Sequence, residues 1–298
     1  MTGLLAPDLP PPDLLVRLRD GRRMAVDDRG DPDGVPVLYC HGSPDSRLAR
    51  HPDDGTARAA GVRLLAVDRP GIGHSDADPA ATPASVADDL VAVLDHLGLE
   101  RAGVLSWSTG AVFALALAGA HPDRCRAVLL AAPLVPADAY DDPAVLEGSD
   151  DSRRLFADAH RDMEPGEVGR ELAPWLVPPV IDEATAREML TGTLAALADA
   201  PGAGEALVAA VRASVAGGMV GVERDVAAQA TRLNPLLDRI TAPVSVHVGS
   251  DDTVTPPAMA RWLGARLGTT PVVHPGIGHE LAIRRWPELL EELATAAR

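Results

Sequence analysis

The stretch GVLSWSTGAVFALALAGAHP, residues 103–122, constrains this chain more than any other. A short apolar run at 102–105 has the length of a buried strand, and 109–119 is apolar, Ala-rich and long enough for a buried helix. SWSTG lies between them, with Ser108 at the turn. A strand that runs straight into a helix strains its turn residue and lifts that side chain above the sheet edge. The next backbone amides then point at whatever the side chain attacks. This is the mechanical requirement of a nucleophilic serine, and also the pattern of a serine that merely caps a helix.

The rest of the chain repeats the same rhythm. Runs at 14–18 and 24–26 predict a hairpin turning at Asp20-Gly21, and further strands are expected at 35–39, 62–67, 125–132, 244–248 and 272–273. Ser85 with Asp88 three positions on opens a helix, with Val86, Leu90, Val93, Leu94 and Leu97 on one face and Gly98 at its end. Helices are also expected at 257–267 and 286–297. The alternation predicts an α/β fold, a mostly parallel eight-stranded sheet with helices on both faces. From 134 to 235 the pattern changes to Ala-rich helical segments, 183–197 and 205–216 among them, broken by Pro and Gly and without a convincing strand. We therefore expect a core domain from 1–133 and 236–298 and a helical cap over 134–235, with residues 1–13 a Pro-rich arm.

Composition narrows the partners. A length of 298 residues with 46% hydrophobic content suits one large domain with an insertion. A net charge of -16 argues against nucleic acid and anionic membrane surfaces, which need clustered positive charge, and leaves a small molecule as the expected partner; a homodimer is compatible with it. All 27 basic residues are arginine, which excludes a lysine Schiff base, a SxxK dyad and a phosphate-loop lysine. Cys40 and Cys125 suggest neither a disulfide framework nor a zinc cluster. The Pro-rich start lacks the pattern of a signal peptide and no run reaches membrane-spanning length, so a cytoplasmic protein is the expectation.

Four loops, CHGSP, SWSTG, GSDDTVTP and PGIGHE, each follow a predicted strand and so converge on the carboxyl edge of a parallel sheet. With DRPGIGHSD at 68–76, these motifs resemble those of the α/β-hydrolase superfamily, in its form with a helical cap after the sixth strand, over nearly all of residues 14–297. The resemblance implies that Ser108 is the nucleophile, His279 its base and Asp252 the carboxylate that orients the imidazole. It implies an oxyanion hole from the backbone amides of Ser43 and Thr109, each such donor worth about 3–4 kcal/mol in the transition state. Ser106 stands where the family's GxSxG has glycine.

His274 is the alternative base and Asp251 the alternative acid. Asp68, Asp76 and Arg69 read as supports of their turn, while His51, His96, His121, His160 and His247 lack partner spacing. His41, Gly42, Trp107 and Trp175 are candidates to line a substrate pocket. The expected activity is serine hydrolysis of an ester, lactone, thioester or related acyl bond in a small apolar-to-amphipathic molecule, and it needs no metal or organic cofactor. The alternatives are a C–C-bond-cleaving or non-hydrolytic enzyme of the same fold, catalysing acyl transfer, elimination or cyclisation, and a ligand-binding pseudo-enzyme.

Overall fold

Five of the eight strands are short apolar runs that bury most of what they carry, as strands covered on both faces must. The computed structural model describes residues 9–298, apart from the side chains of Ser152, His160 and Asp162; the first eight residues of the expected N-terminal arm lie outside the described residues. The strands are β1 (Leu14–Arg17), β2 (Arg23–Gly30), β3 (Val35–Cys40), β4 (Val62–Val67), β5 (Ala102–Trp107), β6 (Cys125–Ala131), β7 (Val244–Gly249) and β8 (Val272–His274). They form one sheet in the order β1-β2-β4-β3-β5-β6-β7-β8. β2 is antiparallel to β1 and β4, and every other pairing is parallel.

β2 runs to Gly30, four residues beyond the expected end. Its charged second half has no apolar alternation to announce it, but it pairs with β4 as far as Gly30 opposite Arg63. Those charges are matched: Arg47 Nε donates to Asp27 at 2.8 Å, and Arg63 Nη2 to Asp28 at 2.6 Å.

Before the insertion the sheet is flanked by α1 (Gly55–Ala59), α2 (Pro83–His96) and α3 (Gly110–Ala120). α2 begins earlier than Ser85. Thr82 is its cap, accepting the Ser85 N–H at 3.2 Å while Ser85 Oγ accepts the Thr82 N–H at 2.9 Å, and Pro83 takes the first turn. The reciprocal pair is a capping box made with serine, and a proline is tolerated there because its missing N–H would have been unpaired.

Between β6 and β7 the described regular elements are all helical: two short 3-10 turns, then α4 (Asp151–Asp162), α5 (Pro165–Leu176), α6 (Glu183–Met189), α7 (Thr191–Ala196), α8 (Ala203–Ser214), α9 (Val220–Gln229) and α10 (Asn234–Leu237). The expected single helix over 183–197 divides at Leu190, where Thr191 Oγ1 donates to the Glu188 carbonyl at 2.8 Å and competes with the helical ladder. After β7 come α11 (Pro257–Leu267), α12 (Leu281–Arg284) and α13 (Trp286–Ala296). Among the described residues no helix is long and apolar enough to cross a membrane.

Strand alternation sorts the core into two layers. Leu38, Leu65 and Val104 pack against α2, α3 and α11, while Val37, Leu64 and Leu105 pack against α1 and α13. The insertion has a third core of its own, Phe156, Val168, Val211, Val222 and Val226, joined by Ile72 from the loop after β4. That loop is the seat of the insertion. A Cβ on Gly221 would lie 2.6 Å from Gly71 backbone, so only two glycines let α9 and the loop approach so closely.

Candidate active site

The turn from β5 into α3 holds Ser108 at φ 55°, a left-handed conformation that costs a non-glycine residue free energy and persists only where its surroundings impose it. They do so here. The Ser108 N–H donates to Ala131 O at 3.1 Å, and its carbonyl accepts the N–H groups of Leu134 and Ala111 at 3.0 Å each. Gly110 is required beside it, because a Cβ there would sit 2.0 Å from Cys40 O. Ser106 occupies the strand opposite Cys40 and Leu130 without breaking the register, its buried Oγ without a hydrogen-bond partner among the described residues. Serine therefore fits where the resemblance leads one to expect glycine.

From this elbow a hydrogen-bonded chain runs through three loops. Ser108 Oγ lies 3.0 Å from His279 Nε2, and His279 Nδ1 lies 2.9 Å from Asp252 Oδ2. Asp252 Oδ1 accepts the N–H groups of Val254 and Thr255 at 2.9 and 2.8 Å, and Thr255 Oγ1 sits 2.8 Å from Oδ2. Burial pushes the Asp252 carboxyl up; His279 and the hydrogen bonds from His279 and Thr255 outweigh it and hold the group below the usual carboxylate range. An ionised Asp252 fixes the proton of His279 on Nδ1 and leaves Nε2 facing Ser108 as an acceptor.

The alternatives are separated from this chain. Asp251 is exposed and accepts from Ser250 Oγ at 2.7 Å, whereas His274 lies 3.1 Å from His247, which in turn meets Glu292 at 3.1 Å. Among the described residues the backbone N–H groups of Ser43 and Thr109 make no hydrogen bond, so both are available as donors.

Each remaining candidate has a definite position. His41 is fully buried, its Nδ1 2.7 Å from Gly42 O, and burial followed by the Arg69 charge keeps the ring neutral. Gly42 passes beside Ser108: a Cβ on it would lie 3.4 Å from Ser108 Cβ. Trp107 supports the histidine rather than facing an open pocket, since it is buried and its Nε1 donates to His279 O at 2.9 Å. Trp175 is a correction: at 86% exposed near the end of α5, it projects into solvent and lines no enclosed site. Asp68 and Asp76 do hold their turn, through Arg47 and Arg23. Burial pushes both cysteine thiols up to about 12, so neither competes as a nucleophile. Among the described residues no group of three or more His, Cys, Asp or Glu could hold a metal ion. A cleft of about 350 Å³ lined by Arg19, Asp20, Asp89 and His121 includes none of these site residues.

Two functional contacts escape a reading of the sequence. Thr255 touches both Asp252 and His279, the latter at 3.2 Å, and its only sequence signal is its place three residues after an aspartate. Arg69 does more than support its turn. It grips Asp225 of α9 with Nε and Nη2 at 2.7 and 2.6 Å, donates to the carbonyls of His41 and Gly42 at 2.6 and 2.7 Å, and stacks 4.5 Å over Phe113. One guanidinium thus ties the loop bearing Ser43 to the insertion, across 156 positions of sequence that no local pattern spans.

Comparison with known proteins agrees with this architecture. A family profile described as alpha/beta hydrolase fold matches residues 35–161. An epoxide hydrolase from Caballeronia sordidicola is 36% identical over 106 residues, 34% of this chain and 32% of that protein. A 2-hydroxymuconate semialdehyde hydrolase from Pseudomonas putida is 34% identical over 116 residues, 38% of this chain and 41% of that one. The match spans about a third or less of the first curated relatives' own length. Among solved structures, an alpha/beta hydrolase fold protein from Nakamurella multipartita superposes with a TM-score of 0.61 at 27% identity, covering 95% of this chain and 99% of that one. Sheet order and these likenesses agree: the chain has the α/β-hydrolase fold, and its residues 35–161 are similar to the family of that description.

Proposed function

We propose that this protein is a serine hydrolase that cleaves an ester, lactone, thioester or related acyl bond in a small apolar-to-amphipathic molecule. Ser108 Oγ attacks the acyl carbon as His279 Nε2 takes its proton, and Asp252 stabilises the imidazolium that forms. The N–H groups of Ser43 and Thr109 receive the developing oxyanion. His279 returns the proton to the leaving group, then activates a water that releases the acyl group from Ser108. Residues 134–235 act as the cap that closes over the substrate.

The observation that carries this reading is the unbroken chain of 3.0 and 2.9 Å hydrogen bonds leading from a serine held at φ 55°. The epoxide hydrolases matched by sequence do not redirect it, because epoxide opening of the kind the superfamily resemblance implies needs a carboxylate nucleophile, and position 108 is serine. A second reading, C–C-bond cleavage by the same triad, is favoured by the likeness to the Pseudomonas putida enzyme named above.

A fluorophosphonate tests the nucleophile directly. It is expected to add one label per chain at Ser108, and labelling that survives Ser108→Ala overturns the assignment. Turnover of a panel of p-nitrophenyl esters by the labelled-competent protein separates the two readings, since a dedicated C–C-cleaving enzyme leaves the panel intact.

A further inference from the structure

Asp45 lies two residues beyond Ser43, on the loop that leaves β3, and the acyl-transfer cycle gives it no task. The point where a Cβ on Gly42 would sit is 2.8 Å from Asp45 Oδ2 and 3.4 Å from Ser108 Cβ, so this carboxyl and the nucleophile flank the same glycine. The buried aspartates nearby are partnered: Asp27 and Asp68 by Arg47, Asp225 by Arg69, Asp252 by His279. Asp45 is different. Among the described residues it accepts no hydrogen bond and joins no ion pair, although part of its surface stays open to solvent.

The groups that face it from other elements are Arg69 on the loop after β4, His279 on the loop after β8, Asp225 on α9 and Tyr39 on β3. Arg69 does not donate to it: that guanidinium is turned to Asp225 and the carbonyls of His41 and Gly42. Burial pushes the Asp45 carboxyl up to about 7, with Arg69 and His279 pulling against this and Asp225 adding to it. A desolvated carboxyl without a donor is costly, and a donor on a bound molecule removes that cost.

We propose that Asp45 is a specificity-determining residue of the Ser108 site: its carboxylate takes a protonated amine, or a weaker hydrogen-bond donor, on the substrate beside the scissile bond, and it repels substrates with an anion there. This selects cationic over anionic acyl compounds of equal size. The proposal rests on the serine-hydrolase reading of the same site.

The test compares kcat/KM for p-nitrophenyl esters of β-alanine and of succinate, one cationic and one anionic, at pH 6 and pH 8. Both substrate charges are constant over that range, and any change in His279 acts on both esters and cancels in their ratio. In the wild type the ratio is expected to rise about tenfold between pH 6 and pH 8 as Asp45 ionises, a modest size for unit charges a few ångströms apart. In Asp45→Asn the ratio at pH 8 falls about tenfold and no longer changes with pH. A merely structural role would lower both rates and leave the ratio alone. A flat wild-type ratio, or one that Asp45→Asn does not alter while Ser108 still takes the fluorophosphonate label, overturns this proposal and spares the hydrolase reading. Absence of the label from wild type overturns both.

Discussion

Strand β5 buries all six of its residues, whereas α5 of the insertion buries only Val168, Gly169 and Ala173 of its twelve. The sheet is covered by helices on both faces, so each strand residue is fixed by neighbours above and below. The insertion is held from one side, by its own small core, by the close pass of Gly71 and Gly221, and by Arg69 with Asp225. Leu155, Trp175, Leu176 and Val180 remain exposed upon it. The contrast divides the labour of the molecule. On the proposed reading, acyl chemistry would need atoms held within fractions of an ångström and would use the rigid edge, while admission of substrate would tolerate a looser element.

The sharpest way to break this contrast is at the edge itself. Asp252→Asn keeps the shape of the side chain but no longer dictates the His279 tautomer, so kcat on a p-nitrophenyl ester should fall about ten-thousandfold. Its effect on stability has a definite sign. The folded Asp252 carboxyl lies below its unfolded value near 4, so its ionisation stabilises the fold above that range, and the contribution is lost as pH falls through the folded value. Thermal unfolding of Asp252→Asn and wild type should therefore differ at pH 7 and converge in strong acid. Unchanged turnover would show that the edge is less constrained than its hydrogen bonds imply.

What the sequence discloses follows the same division. Strands β3 to β7 are legible because burial on both faces forces continuous apolar runs, and the loops that follow them carry the site. The second half of β2 is hidden, since the charges of Asp27, Asp28 and Arg29 are matched only in the fold, by Arg47, Arg63 and Asp13. In the insertion, Ala-rich composition announces helices but not their ends, and the break at Leu190 depends on a local side-chain bond from Thr191. Arg69 with Asp225, and the unpartnered Asp45, are invisible for another reason. Each is a relation between a loop and residues far along the chain, and a sequence states residues rather than relations.

The join between the two regions supplies the next test. Asp225→Ala leaves the Arg69 guanidinium buried without its anion, and removing one partner of a buried pair costs about 3–5 kcal/mol. Denaturant unfolding should register that loss. Replacing both partners, Arg69→Met with Asp225→Leu, should recover most of the stability, because an apolar pair needs no compensation. Turnover of a p-nitrophenyl ester, the activity proposed above, should not recover in full, since the carbonyls of His41 and Gly42 would still lack the guanidinium that positions them. Equal recovery of stability and activity would mean that Arg69 joins the regions without organising the loop that bears Ser43.

The smallest effect belongs to the insertion's outer surface. Trp175 is the most exposed large apolar side chain among the described residues, so truncating it removes almost no buried area. Trp175→Ala should shift the unfolding free energy by no more than about 0.5 kcal/mol, the usual range for surface positions without special features. A buried tryptophan truncated in the same way costs about 3–5 kcal/mol, so Trp286→Ala in α13, 1% exposed and set edge-on to Tyr39 with centroids 5.1 Å apart, supplies the contrast within one protein. If Trp175→Ala approached that cost, the side chain would be packed in solution against something the monomer does not provide, and the insertion would be as tightly specified as the sheet beneath it.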